Sequence, residues 1–205
     1  MTRNDLLTLF SAIRDKMAAN CDYLVELDAR NGDGDLGLSM RDCWAAVTRC
    51  AEQSDTEDLG MLLLACAKQA NAAAPSTLGT ITAFWLMGTA KALRGKTEVT
   101  LAEFAAALAA GIETICAKAG SAVGDKTILD AISPAVDALA AHAEDGAAAA
   151  AAAAYAAAKA GMEHTKELLP KHGRAAYYSE KGLGLVDGGA VAGMLLFEAA
   201  SECCR

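Results

Sequence analysis

Aromatic side chains are scarce in this chain of 205 residues: Phe, Trp and Tyr together make up 5%. Valine occurs only seven times and isoleucine six, and much of the 54% hydrophobic content is alanine. A large sheet draws on β-branched and aromatic residues, so their shortage argues against one and in favour of helices. Positive charge is in deficit as well. Eighteen Lys and Arg face 26 Asp and Glu, a net charge of −8, which removes the attraction that binding to a nucleic-acid backbone depends on. No nucleic-acid partner is expected, and the surplus of negative charge serves solubility. No apolar run approaches the roughly 20 residues that span a bilayer. The cysteines, Cys21, Cys43, Cys50, Cys66, Cys116, Cys203 and Cys204, are odd in number and contain no C-x-x-C pair. That pattern fits small buried thiols in a reducing compartment better than a disulfide frame or a zinc site. The start, Met-Thr-Arg-Asn-Asp, leads into an amphipathic pattern and not a signal peptide, so a cytoplasmic protein without a membrane span is expected.

What is present is helix-forming sequence. Thr2-x-x-Asp5, Ser54-x-x-Glu57, Thr100-x-x-Glu103 and Thr127-x-x-Asp130 each precede an apolar-periodic stretch, and in each a side-chain oxygen can accept from the unbonded N–H groups of a first helical turn. Eight helices are predicted, over about 4–28, 37–53, 56–73, 77–94, 100–119, 127–143, 146–170 and 188–203. Leu6, Leu9, Phe10, Ile13 and Met17 line one face of the first. The third is apolar nearly all round and should be buried on most sides. Pro134 should kink the sixth, since it lacks an N–H and crowds the Asp130 carbonyl. The nearly pure alanine stretch 147–160 reads as a closely packed helix in preference to a low-complexity linker, with Pro170 as its stop. No linker or internal repeat divides the chain. Residues 1–205 therefore read as one all-α domain, a barrel or bundle of eight antiparallel amphipathic helices.

One segment breaks the helical pattern with chemistry of its own. Asp28-Ala-Arg-Asn-Gly-Asp33-Gly-Asp35-Leu-Gly37 places three carboxylates within eight positions. The glycines keep Asp33 and Asp35 from continuing the preceding helix, so both can return to face Asp28. Hard oxygen ligands on an irregular turn suit Mg²⁺ or Ca²⁺, although Asp and Gly are also ordinary turn residues. An EF-hand loop is excluded in both registers: from Ala29 the first and last ligand positions are Ala29 and Met40, and from Asn31 the glycine position is Leu36.

Other segments offer phosphate-binding chemistry. Gly124-Asp125-Lys126-Thr127 resembles the end of a P-loop, but Asp stands before the Lys and no strand precedes it, so helix capping by Thr127 is the simpler reading. Pro75-Ser76-Thr77 and Asp187-Gly188-Gly189 open helices whose N–H groups can cap or can face an anion. Lys171–Leu185, with three glycines, adjacent tyrosines and Arg174, reads as a long ordered functional loop. His142, His164 and His172 lack metal-ligand spacing, no nucleophile–base pair is evident, and Trp44, Phe84 and Trp85 sit at core positions.

Together these segments resemble the nucleotide-binding (L) subunit or domain of dihydroxyacetone kinases. The blocks are Leu27-Asp28…Gly32-Asp33-Gly34-Asp35-x-Gly37, then Gly124-Asp125-Lys126-Thr127…Asp130…Pro134, then Gly173-Arg174-Ala175 followed by Gly184…Asp187-x-Gly189-Ala190. The resemblance spans nearly the whole chain. It implies an eight-helix barrel with ADP or ATP at one end and Mg²⁺ held by Asp28, Asp33 and Asp35. It further implies nucleotide contacts from Leu36, Gly37, Leu38 and Ser39, phosphate contacts from Ser76 and Thr77, an adenine border at Gly120 and Ile128, and closure by Arg174, Asp187, Gly188 and Gly189. The sugar is expected on a separate K-type subunit or domain, with ATP or a phosphotransferase-system phosphoprotein as donor, and a homodimer is compatible with the family. Two departures stand out. Leu36 replaces the family's usual His, and Ala73-Ala74-Pro75-Ser76-Thr77 replaces its Gly-Gly-x-Ser-Gly turn. They leave room for a branch acting on another small keto-sugar or for a non-catalytic regulatory module, and the carboxylate cluster leaves a Mg²⁺-dependent phosphatase as a further alternative, one without an evident nucleophile.

Overall fold

The computed structural model of the chain describes residues 1–30, 32–172, 176 and 182–204. Nine α-helices are found among them: α1 (Arg3–Ala19), α2 (Cys21–Asp28), α3 (Leu36–Gln53), α4 (Leu59–Ala73), α5 (Thr77–Ala92), α6 (Leu101–Ala119), α7 (Leu129–Ala141), α8 (Ala147–His164) and α9 (Gly188–Cys203). The all-α expectation holds. The eight predicted helices are present, with the first divided at Asn20, whose amide side chain donates to the Lys16 carbonyl at 2.8 Å. Local bonding of this kind competes with the helical ladder.

Two capping boxes form as expected, Thr2 with Asp5 and Thr100 with Glu103. The other two starts shift. Helix α4 is capped by Asp58 and not by Ser54, because the Asp58 carboxylate accepts from Met61 N–H at 2.9 Å and also from Gly95 N–H at 3.0 Å. Helix α7 begins two residues after Thr127, and the Asp130 carboxylate accepts from Thr127 N–H at 2.7 Å and Gly124 N–H at 2.6 Å. The alanine-rich stretch is helical, with Ala150, Ala154 and Ala158 fully buried. It ends before Pro170, at a 3₁₀ turn over Thr165–Glu167.

Helix α1 packs on α3 and on α9, and α3 through α9 each pack on the next, which closes a ring. Small residues permit this. Gly161 of α8 lies against the Asp130 carbonyl, the acceptor that Pro134 leaves without its helical donor. The ring encloses an apolar cavity of about 430 Å³ lined by Leu6, Phe10, Trp85, Leu86, Phe104 and Phe197. No helix is long and apolar enough to cross a membrane among the described residues, and all seven cysteines are free.

Direction alternates around the ring. At one end the Leu59 N–H donates to the Lys96 carbonyl at 2.8 Å and Arg3 donates to the Ser54 carbonyl at 2.5 Å. At the other end Gly188 abuts Leu36 and Gly189 abuts Ile128, so the starts of α3, α7 and α9 meet there. Alternation brings the α4–α5 turn to the same end. The connections singled out by sequence therefore share one mouth of the barrel.

Candidate functional site

Asp28 closes α2 and Asp35 precedes α3, so the two helices present their carboxylates across a short turn. The Asp28 Oδ2 accepts from Gly34 N–H at 2.8 Å and from Asp35 N–H at 3.1 Å. These bonds orient Asp28 and fold the chain back over it. Gly34 adopts φ 75°, a region that costs a side chain about 1 kcal/mol or more. A Cβ on Gly32 would overlap the Asp28 carboxylate, so the turn leaves space for that group only with glycine there. One oxygen from each of Asp28, Asp33 and Asp35 lies within 4.8 Å of the others, with Asp33 and Asp35 exposed. Three carboxylate oxygens gathered so closely repel one another and form a donor set of the hard type that Mg²⁺ or Ca²⁺ takes.

Leu36 and Gly37 are buried at the start of α3. The Leu36 side chain belongs to the core, where the resembling family carries a polar His. Gly37 sits against the Cys21 carbonyl and Val25 of α2. Leu38 is exposed and Ser39 half-buried on the next turn. Ser76 caps α5 by accepting from Gly79 N–H at 3.1 Å, and Thr77 beside it is exposed. Gly120 ends α6 in the left-handed conformation, φ 63°. Ile128 is buried against Gly189 and Gly193. Arg174 lies outside the described residues.

Asp187 caps α9 through Ala190 N–H at 2.7 Å. Burial pushes its carboxyl up to about 6 from an ordinary 3.8, opposed by the Ala190 bond and the Lys126 charge and aided by nearby Asp130. The folded chain therefore holds this proton more tightly than the unfolded one. The resulting stability is present below about pH 4 and is lost as pH rises through about 6. Relative to Asp187→Asn, which keeps a capping oxygen but does not titrate, the wild type should lose up to roughly 3 kcal/mol between these limits. Urea midpoints of the pair across that range measure it, and a constant difference would contradict it.

Sequence reasoning missed the roles of Asp125 and Lys126. Both are buried, and Lys126 is the one non-glycine described residue with positive φ, 60°. Its ammonium donates to the carbonyls of Leu168 at 3.2 Å, Gly182 at 2.7 Å and Leu185 at 2.8 Å. Three donors on three acceptors use the whole group, so Lys126 does not act as a P-loop lysine would. Desolvation lowers its pKa and the Asp187 charge partly restores it. The Asp125 carboxylate accepts from Lys171 at 2.6 Å and Ala122 N–H at 2.8 Å, and meets the His172 ring at 3.0 Å. These partners hold its pKa far below the usual carboxylate range, the Lys171 bond most of all. The unusual left-handed lysine carries no local sequence signal, because its partners lie 42 to 59 residues away.

Comparison with known proteins places this architecture. The DAK2 domain profile matches residues 30–202. The chain belongs to the DAK2 domain family. This DAK2 domain is 24% identical over 97% of its length to the PEP-dependent dihydroxyacetone kinase ADP-binding subunit DhaL of Escherichia coli, covering 95% of that protein. It is 32% identical over 93% of its length to the L-erythrulose kinase of Pectobacterium atrosepticum, but spans only 33% of that longer chain. The dihydroxyacetone kinase of C. freundii, solved with AMP-PNP and Mg²⁺, shares the fold with a TM-score of 0.77 at 23% identity, over 96% of this chain and 33% of that one.

Proposed function

We propose that this DAK2 domain is the Mg²⁺–nucleotide-binding unit of a small keto-sugar kinase. The gathering of Asp28, Asp33 and Asp35 at the barrel mouth carries the reading. These three side chains would hold Mg²⁺, whose charge offsets that of the phosphates of ADP or ATP and of a transferring phosphoryl group. The chain's own part is positioning. Asp28 is fixed by two backbone N–H groups, Asp33 and Asp35 are presented outward, and the starts of α3, α5 and α9 supply N–H groups where anionic oxygens can sit. Leu36, Gly37, Leu38, Ser39, Ser76, Thr77, Gly120, Ile128, Arg174, Asp187, Gly188 and Gly189 are proposed to border the nucleotide, with Leu36, Gly37 and Ile128 contributing backbone and apolar wall.

The sugar is proposed to sit on a K-type kinase subunit or domain that docks on the same end. Leu38 in the first turn of α3, and Val123, Leu169 and Leu183 on the connections there, are exposed apolar residues, as a protein-docking rim would have. The names of the relatives support this pairing: one is an ADP-binding subunit of a dihydroxyacetone kinase and another a kinase of L-erythrulose about three times as long.

Calorimetry should show ADP or ATP binding that depends on Mg²⁺. Phosphorylation of dihydroxyacetone or erythrulose should appear when a K-type unit is supplied, and trials with ATP alone and with a phosphotransferase-system phosphoprotein separate the two donors. Absence of Mg²⁺-dependent binding to either nucleotide overturns the proposal. Binding without transfer under both donors leaves a regulatory module.

A further inference from the structure

We infer that Asp125 and Lys126 are positioning residues that set the α8–α9 connection against the nucleotide end, an inference that rests on the Mg²⁺–nucleotide reading. The two neighbours grip opposite arms of that connection. Lys126 holds Leu168 on the arm leaving α8 and Gly182 and Leu185 on the arm entering α9. Asp125 holds Lys171 and His172 on the leaving arm, and its carbonyl accepts from Lys171 N–H at 3.2 Å. Both arms are thus tied to one point on the α6–α7 connection. The arms also bond to each other: Gly184 N–H donates to the Lys166 carbonyl at 2.8 Å and Asp187 N–H to Thr165 Oγ1 at 3.0 Å.

A buried ammonium that ends on three carbonyls, with no carboxylate bonded to it among the described residues, is an expensive way to join loops. A methyl-terminated side chain would leave those carbonyls without their donor. The arrangement makes sense where the placement of neighbouring residues matters, and Asp187, Gly188 and Gly189 begin two residues after Leu185. Gly189 in turn lies against Ile128, two residues after Lys126. The Asp125–Lys126 pair therefore fixes both walls that the nucleotide reading places at this end, without itself touching ligand.

The test is calorimetry with Mg²⁺–ADP on wild type, Lys126→Met and Asp125→Asn, together with amide hydrogen exchange. Lys126→Met should weaken binding by about tenfold or more, the factor by which the competent arrangement falls in population. Exchange should rise at Gly184, Leu185 and Asp187 and stay unchanged at Lys96 and Val99 at the far end. Asp125→Asn, which removes the ion pair to Lys171 and weakens the contact with the His172 ring, both partners being exposed, should give a smaller effect of the same pattern and decides the matter if Lys126→Met fails to fold. Wild-type affinity in the folded variants, or exchange rising equally at both ends of the barrel, overturns the inference. If the wild type itself does not bind Mg²⁺–ADP while local exchange still rises in the variants, the nucleotide reading fails and the loop-tying role alone survives.

Discussion

Replacing Asp33 and Asp35 together by Asn is expected to abolish Mg²⁺-dependent nucleotide binding, with affinity falling by more than about a hundredfold. Asn keeps an oxygen at each position but removes the charge, and Mg²⁺ gives up its water reluctantly to neutral donors. A single carboxylate, Asp28, would remain where three now lie within 4.8 Å. Asp28 is the wrong residue for this test, because its bonds to Gly34 and Asp35 N–H build the turn and its loss would mix structure with binding. The double variant separates the two. A melting curve that shows the double variant folded lets the loss of affinity be read as loss of ligand charge. Calorimetric titration with ADP at saturating Mg²⁺, beside a melting curve, reads both quantities. Wild-type affinity in a folded double variant would remove the carboxylates from the site.

How far the sequence spoke for this structure depends on the reach of each interaction. The boxes at Thr2–Asp5 and Thr100–Glu103 close over three residues, and both were legible. So was the carboxylate turn, because alternating Asp and Gly constrain their own backbone. Asp58 was passed over in favour of Ser54 because Met61 stands where a capping box carries Glu or Gln, and the second bond to Asp58 comes from Gly95, 37 residues on. The break at Asn20 was hidden by an apolar pattern that continues through it, Met17, Cys21 and Leu24 all being buried. Lys126 looked like a fragment of a phosphate loop, and only the closed ring shows that its charge is spent on carbonyls of the α8–α9 connection. Gly37 was read as a ligand contact through family resemblance, and the packing gives it a structural reason to be glycine as well.

That reason sets the second large effect. Gly37→Ala is expected to destabilise the chain by about 2–3 kcal/mol, the upper part of the range for forcing a methyl group into a filled contact. A Cβ at Gly37 would overlap the Cys21 carbonyl and press on Val25 Cγ2. The first is backbone and cannot rotate away, so α2 and α3 must separate. For a chain of 205 residues the corresponding fall in melting temperature is roughly 5–10 °C. The same movement reaches the site, since Asp28 ends α2 and Asp35 precedes α3. Moving the helices apart stretches the bonds from Gly34 and Asp35 N–H to Asp28 and widens the carboxylate cluster. Mg²⁺ demands near-ideal octahedral geometry while Ca²⁺ tolerates a looser one, so Gly37→Ala should lose Mg²⁺-supported nucleotide binding more than Ca²⁺-supported binding. Arg49→Ala, exposed further along the same helix and outside the proposed site, serves as the control for a change that moves neither helix. A Gly37→Ala protein that melts with the wild type and keeps its Mg²⁺ preference would show that the two helices do not set the spacing of the aspartates.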